Sequence, residues 1–372
     1  MKKALVFLFF LLPFFLFPVR VFADGGENPF AALLDSLPEE VKEALPDDCL
    51  TEMEKGENAD GAVLSSLFSP GDWKDRIFSA VSEALSPLLS VFSAIFAALI
   101  VSSAASFAAG EEDKTGFSSF LCLLFALIAA KKLGKEWEAA FGAMESMTVF
   151  LRSVLPALLG LEAASGGIVT AAASEASLLV VPALIGEAAV ALTPVLRGMT
   201  AFSLLGALTD GEGDGILGTV GKTVSGILVL LTALLGLFLS GQRVVTAGTD
   251  GMLNRTVRFA VGNFVPFVGG AAGESVSVML GSALYLKSVV GGAAAAIVLF
   301  LVLKPTVSLV LTRLALSLSV LAAGLLGNAR AKRLLSGFSA AADLAAAALF
   351  TATVLTLFLL SLFLKNGQGV IF

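Results

Sequence analysis

A chain of 372 residues that is 57% hydrophobic and only 15% charged falls well short of the roughly 25% charged residues of a water-soluble domain. That excludes a protein able to cover itself with Lys, Arg, Asp and Glu, each of which costs free energy in hydrocarbon, so the composition selects lipid as the solvent. Histidine is absent and Cys49 and Cys122 are the only cysteines, which removes Ser-His-Asp and Cys-His catalysis, the commonest transition-metal ligand and any disulfide framework.

Residues 1–23 read MKK, a Phe- and Leu-rich stretch from Ala4 to Phe17, then Pro18 and the small-residue exit Val21-Phe22-Ala23. This is the anatomy of a secretory signal peptide, cleaved after Ala23 or kept as an anchor. In both cases the next segment starts outside the cytoplasm. Residues 24–76 carry 14 Asp and Glu against 4 Lys and Arg, so the net charge of −6 is an acidic extracytoplasmic head on a slightly basic body. Nucleic acid is excluded as a partner, because phosphate binding needs clustered cations. Within the head a short helix is expected over Leu37–Leu45, with Ser36 and Glu39 as its capping box. A longer one should start near Asp72, with Trp73 at headgroup depth.

The body, residues 77–372, offers nine apolar segments near the ~20 residues that cross a bilayer: 84–108, 117–133, 144–162, 168–190, 191–209, 216–242, 286–303, 305–327 and 343–364. Gly, Pro156, Pro182 and Pro194 interrupt the stretch 144–209, so some segments there are expected to be re-entrant rather than spanning. The fold class is therefore all-α, a polytopic membrane helix bundle of about seven or eight spans. Orientation is contradictory at this level. Counting inward from the signal puts Lys131, Lys132 and Lys135 outside, whereas Arg330, Lys332 and Arg333 read as a cytoplasmic loop.

Two stretches imitate known sites. Asp210–Gly215 opens like an EF-hand loop, yet its twelfth position is Gly221 where a bidentate Glu is needed. Gly215–Thr223 misses the phosphate-loop spacing by one residue, because Ile216 stands where the first Gly belongs. No cofactor or metal site is expected from either. More informative are isolated charges in apolar company: Arg152, Glu162, Glu175, Glu187, Arg197, Arg243, Arg258, Glu274, Lys287, Lys304 and Asp343. Such residues face a bundle interior, a watery cavity or a headgroup, or snorkel from a helix end. Arg152 with Glu162, and Arg258 with Glu274, are candidate pairs across turns.

Thr148–Gly167 and Thr256–Gly273 share a design, an apolar approach, one proline (Pro156, Pro266) and then a run of Gly and Ala. They can be a repeat of broken membrane segments, the pattern that marks transporter sites, or a chance likeness in a Gly- and Ala-rich chain. The candidate pore, packing or partner-contact residues are Pro156, Gly166, Gly167, Gly262, Asn263, Pro266 and Gly269. Arg152, Glu162, Arg258 and Glu274 are the candidate intramembrane charges.

At these segments the chain resembles a known family. Leu155-Pro156-Ala157-Leu158-Leu159, then Ala164-Ser165-Gly166-Gly167-Ile168-Val169, then Thr249-Asp250-Gly251 leading to Arg255–Pro266, and Leu286-Lys287-Ser288-Val289-Val290-Gly291 are similar to stage III sporulation protein AE of endospore-forming bacteria. The resemblance implies a non-enzymatic subunit of the membrane assembly linking the mother cell to the engulfed forespore, seated in the outer forespore membrane as the permease-like part of a secretion or feeding channel. It implies partners from the same operon, among them a cytoplasmic ATPase and ring-forming membrane proteins, and supplies no catalytic residues. The alternative from the charges alone is a stand-alone secondary transporter of a small solute.

Overall fold

The computed structural model describes residues 70–108, 114–208, 214–264 and 269–365, together with Glu39, Lys42 and Thr51. The expected signal segment, most of the acidic stretch 24–76 and Pro266 lie outside the described residues. Of the head's expected helix, Glu39 and Lys42 are helical, and Lys42 Nζ bonds Glu39 Oε1 at 2.9 Å.

Six helices follow one another: α1 Pro70–Ala108, α2 Lys114–Ala164, α3 Ile168–Leu208, α4 Asp214–Phe264, α5 Gly269–Leu325 and α6 Ala329–Lys365. No strand occurs among the described residues. The reason is the solvent. Hydrocarbon offers backbone N–H and C=O groups no partner, so even Gly-, Val- and Thr-rich stretches satisfy themselves within a helix.

All six are long and apolar enough to cross a membrane, and the protein is a multi-pass membrane protein. Six of the nine apolar segments of the sequence merge in pairs: 117–133 with 144–162 in α2, 168–190 with 191–209 in α3, and 286–303 with 305–327 in α5. Pro156, Pro182, Pro194 and Pro305 all lie inside helices. A proline removes one backbone donor, which interrupts a helix only where no packing holds the remaining turns together. α5, with 57 residues, rises about 85 Å, nearly three times the ~30 Å hydrocarbon core, so part of it projects beyond the bilayer.

The helices alternate in direction. Two tight turns, at Ser165–Gly167 and Leu326–Asn328, fold α2 against α3 and α5 against α6. Thr148 of α2 donates to the Pro182 carbonyl of α3 (3.3 Å), and Gln242 of α4 donates to the Ala173 carbonyl of α3 (2.5 Å). At the other end Ser103 of α1 reaches the Leu326 carbonyl. Six alternating helices remove the orientation conflict. Lys131, Lys132 and Lys135 are not a loop but lie within α2, where Lys132 sits beside Thr312 and Ser319 in the second half of α5. They therefore lie toward the same end of the bundle as Arg330, Lys332 and Arg333.

The α5–α6 hairpin is the centre of the core, with 56% of each helix's apolar window buried against 6% for α4. α1 is pinned to it by Trp73, which stacks on Phe300 at 4.7 Å. Trp73 is buried against protein there, its ring covered by the flat face of Phe300.

Candidate functional site

The turn between α2 and α3 is the natural starting point, since it carries three residues that the sequence singled out. Gly166 has φ 92°, a left-handed conformation that glycine alone adopts without penalty. Gly166 N–H bonds the Ala163 carbonyl at 3.0 Å and Gly167 N–H bonds the Glu162 carbonyl at 2.9 Å, the double closure that satisfies the last carbonyls of a helix. The α2 helix thus ends here, at Ala164, eight residues beyond Pro156. Pro156 is exposed on an unbroken helix and takes no part in the turn.

Gly167 then opens α3. It has no side chain to cap the first turn, and two free amides, Val169 N–H and Thr170 N–H, point back toward it. They are capped by Asp250, which comes from α4, 80 and more residues later. Its Oδ1 accepts from Val169 N–H at 2.8 Å and its Oδ2 from Thr170 N–H at 2.9 Å, with Thr170 Oγ1 also donating to Oδ2 at 2.5 Å. A carboxylate here meets both the orphan donors and the positive end of the helix dipole.

The missing side chain has a second consequence. A Cβ on Gly167 would lie 2.6 Å from Glu162 Oε1, so the Glu162 side chain folds back over the turn only because residue 167 is glycine. That carboxylate is 2% exposed and is met by two cations. Lys287 Nζ of α5 lies 2.5 Å from Glu162 Oε2, and Arg243 Nη1 of α4 donates to the same oxygen at 3.3 Å. Lys287 is 1% exposed and Arg243 7%. The guanidinium also lies over the Phe363 ring of α6, 4.5 Å from its centroid, a favourable cation–π contact. Arg243 Nη2 has no hydrogen-bond partner among the described residues.

Two acids and two bases, contributed by α2, α4 and α5 and closed by the start of α3 and the Phe363 ring of α6, are therefore buried together at one end of the bundle. Their charges balance, the condition under which ions are tolerated in low dielectric. The arrangement ties three helix ends, those of α2 and α6 and the start of α3, to the interiors of α4 and α5.

Of the sequence-based candidates, Glu162, Gly166 and Gly167 meet here. Arg152 does not. It is exposed on α2, and Glu162 takes Lys287 and Arg243 in place of the expected Arg152, because the turn swings its carboxylate toward α4 and α5. Gly262 and Asn263 fall in the last turn of α4 and Gly269 opens α5. The side chains of Asn263, Arg258 and Glu274 lie outside the described residues, so the second broken segment and its expected pair do too. Asp214–Thr223 is helical, so the phosphate-loop mimic forms no cradle. Asp250 was not singled out as a charge, and Arg243 and Lys287 stood in a long roll of isolated ones. No spacing rule connects residues 80 to 125 apart, but Asp250 and Lys287 both lie in the runs that carried the family resemblance.

Comparison with known proteins agrees with that resemblance. Residues 73–367, which include nearly all of α1 and every later helix, match the family model described as Stage III sporulation protein AE. A curated relative of that name from Bacillus subtilis (strain 168) is 26% identical over 268 residues, covering 69% of this chain and 66% of the relative. The match thus spans slightly less than two thirds of that relative's length. No solved structure matches.

Proposed function

Because the chain belongs to the stage III sporulation protein AE family, we propose that it is a membrane subunit of the channel or secretion complex that joins mother cell and forespore, required for late forespore gene expression. The observation that carries this reading is the family match over residues 73–367, which covers the helical body and the charged turn alike. In this reading the protein sits in the outer forespore membrane. Its partners are other membrane proteins of the same operon, including ring-forming subunits, and a cytoplasmic ATPase.

It acts without catalysis and without a cofactor, by holding or opening a path. With Lys131, Lys132, Lys135 and Arg330–Arg333 at the cytoplasmic end, as the positive-inside rule asks, the Glu162 cluster lies at the extracytoplasmic end. In an outer forespore membrane that end faces the space between the two membranes, where ring subunits would dock. Within the Thr148–Gly167 segment, the Gly166–Gly167 turn is then the part best placed for a pore or partner contact.

Deletion of the gene in a spore-forming strain should leave engulfment intact and silence a late forespore reporter, with rescue by the intact gene. Normal heat-resistant spores from the deletion strain would overturn the assignment. A second reading, a stand-alone secondary transporter, draws on the same buried charges, since ionisable groups inside a membrane often form solute or proton sites. Gradient-driven uptake by the purified protein alone in liposomes would favour it.

A further inference from the structure

α4 shows what a lipid-facing helix looks like in this protein. It exposes Leu230, Leu234, Leu237 and Phe238, and from residue 223 to 242 it has no charged side chain. The outer face of α5 is different. Leu314, Leu318, Leu321 and Leu325 are 49% to 90% exposed, yet this row is flanked on both edges by charges. On one edge Arg313 pairs with Asp343 of α6, their side chains 36% and 56% exposed. On the other, Lys304 pairs with Glu83 of α1 at 2.7 Å, 72% and 55% exposed.

All four charges fall within the apolar stretches of their helices. Ionisable groups in such stretches face protein or water rather than lipid, since hydrocarbon gives them no solvation. In a single copy of the chain these pairs face outward. The exposed leucine row that lies between the two pairs has no use for water, so protein rather than water is the cover that suits the whole face.

We propose that the covering surface is a second copy of this chain, packed α5 against α5. The four leucines recur at intervals of four, three and four residues, the a/d seam of two paired helices, and Val307 and Leu311 continue it. The flanking positions are small, Ala315 and Ala322 on one side and Ser317 and Gly324 on the other, which lets two helices approach closely in a membrane. The patch also carries two cations and two anions. A twofold interface sets a surface against itself, so each copy must offer the other as many charges of one sign as of the opposite one. An acidic or a basic partner would want an unbalanced patch. The inference does not rest on the channel reading.

The test uses the full chain in its native membrane, with Cys49→Ser and Cys122→Ser as background. Under mild oxidation Leu318→Cys should give a species of twice the chain's mass, whereas Leu237→Cys on α4 stays monomeric. Two differently tagged copies of the unsubstituted chain should co-purify in mild detergent, and Asp343→Arg should lower that recovery at least tenfold. Failure of the tagged copies to co-purify overturns the proposal. So does a Leu318→Cys product of any other mass, or equal cross-linking at Leu237→Cys.

Discussion

The bundle contains two turns built to the same backbone plan and serving different ends. At Leu326–Asn328, as at Ser165–Gly167, a left-handed glycine closes the first helix: Gly327 has φ 70°, and Asn328 N–H bonds the Ala323 carbonyl at 3.0 Å. The next residue is where they part. Asn328 caps its own helix, its Oδ1 accepting from Ala331 N–H at 3.0 Å, so the start of α6 is capped from within the turn, and Ser103 of α1 reaches the Leu326 carbonyl. Gly167 cannot cap anything, so α3 borrows Asp250 from α4, and the space left by the absent side chain admits the Glu162 carboxylate that Lys287 and Arg243 neutralise. One turn caps its second helix from within, and the other draws that cap from a helix across the bundle. A site that must sense or transmit a change in helix packing has to be of the second kind.

The comparison can be broken most severely at Glu162. Glu162→Gln leaves two buried cations without their counter-ion, and breaking a buried pair from one side costs about 3–5 kcal/mol. The expected result is a large drop in thermal unfolding temperature in detergent. No comparable loss should follow from any single substitution at the Asn328 turn. Gly167→Ala should cost about 1–3 kcal/mol, because its methyl occupies the place of the Glu162 carboxylate. Asp250→Ala should cost about 1–2 kcal/mol by loss of the α3 cap, and Asn328→Ala about 1 kcal/mol. The two differ in reach. Hydrogen exchange after Asp250→Ala should rise in α4 as well as at the start of α3, whereas after Asn328→Ala it should rise only in the first turn of α6. The smallest effect belongs to Arg152→Leu. Because Arg152 is exposed and pairs with nothing in this cluster, unfolding should move by no more than about 0.5 kcal/mol.

The fold class was readable because composition decides the solvent, and the solvent forces helices. The number of helices was not. A proline or a Lys pair looks like a boundary in sequence, but Pro156 and Lys131-Lys132 sit within a continuous α2, because packing decides whether a helix continues. At the site, Glu162, Gly166 and Gly167 stood out locally as an acid in apolar company beside a Gly pair. Their partners did not. Lys287, Arg243 and Asp250 come together with them only through the tertiary fold, and nothing at the level of spacing separates Lys287 from Lys304, whose side chain faces outward.

Glu162 and Lys287 behave as one buried unit. A double-mutant cycle of Glu162→Gln and Lys287→Met, read by unfolding free energy in the same micelles, tests it most directly. The double variant should be markedly more stable than the sum of the two single losses allows, by about 1–3 kcal/mol of coupling. Additive losses would contradict it.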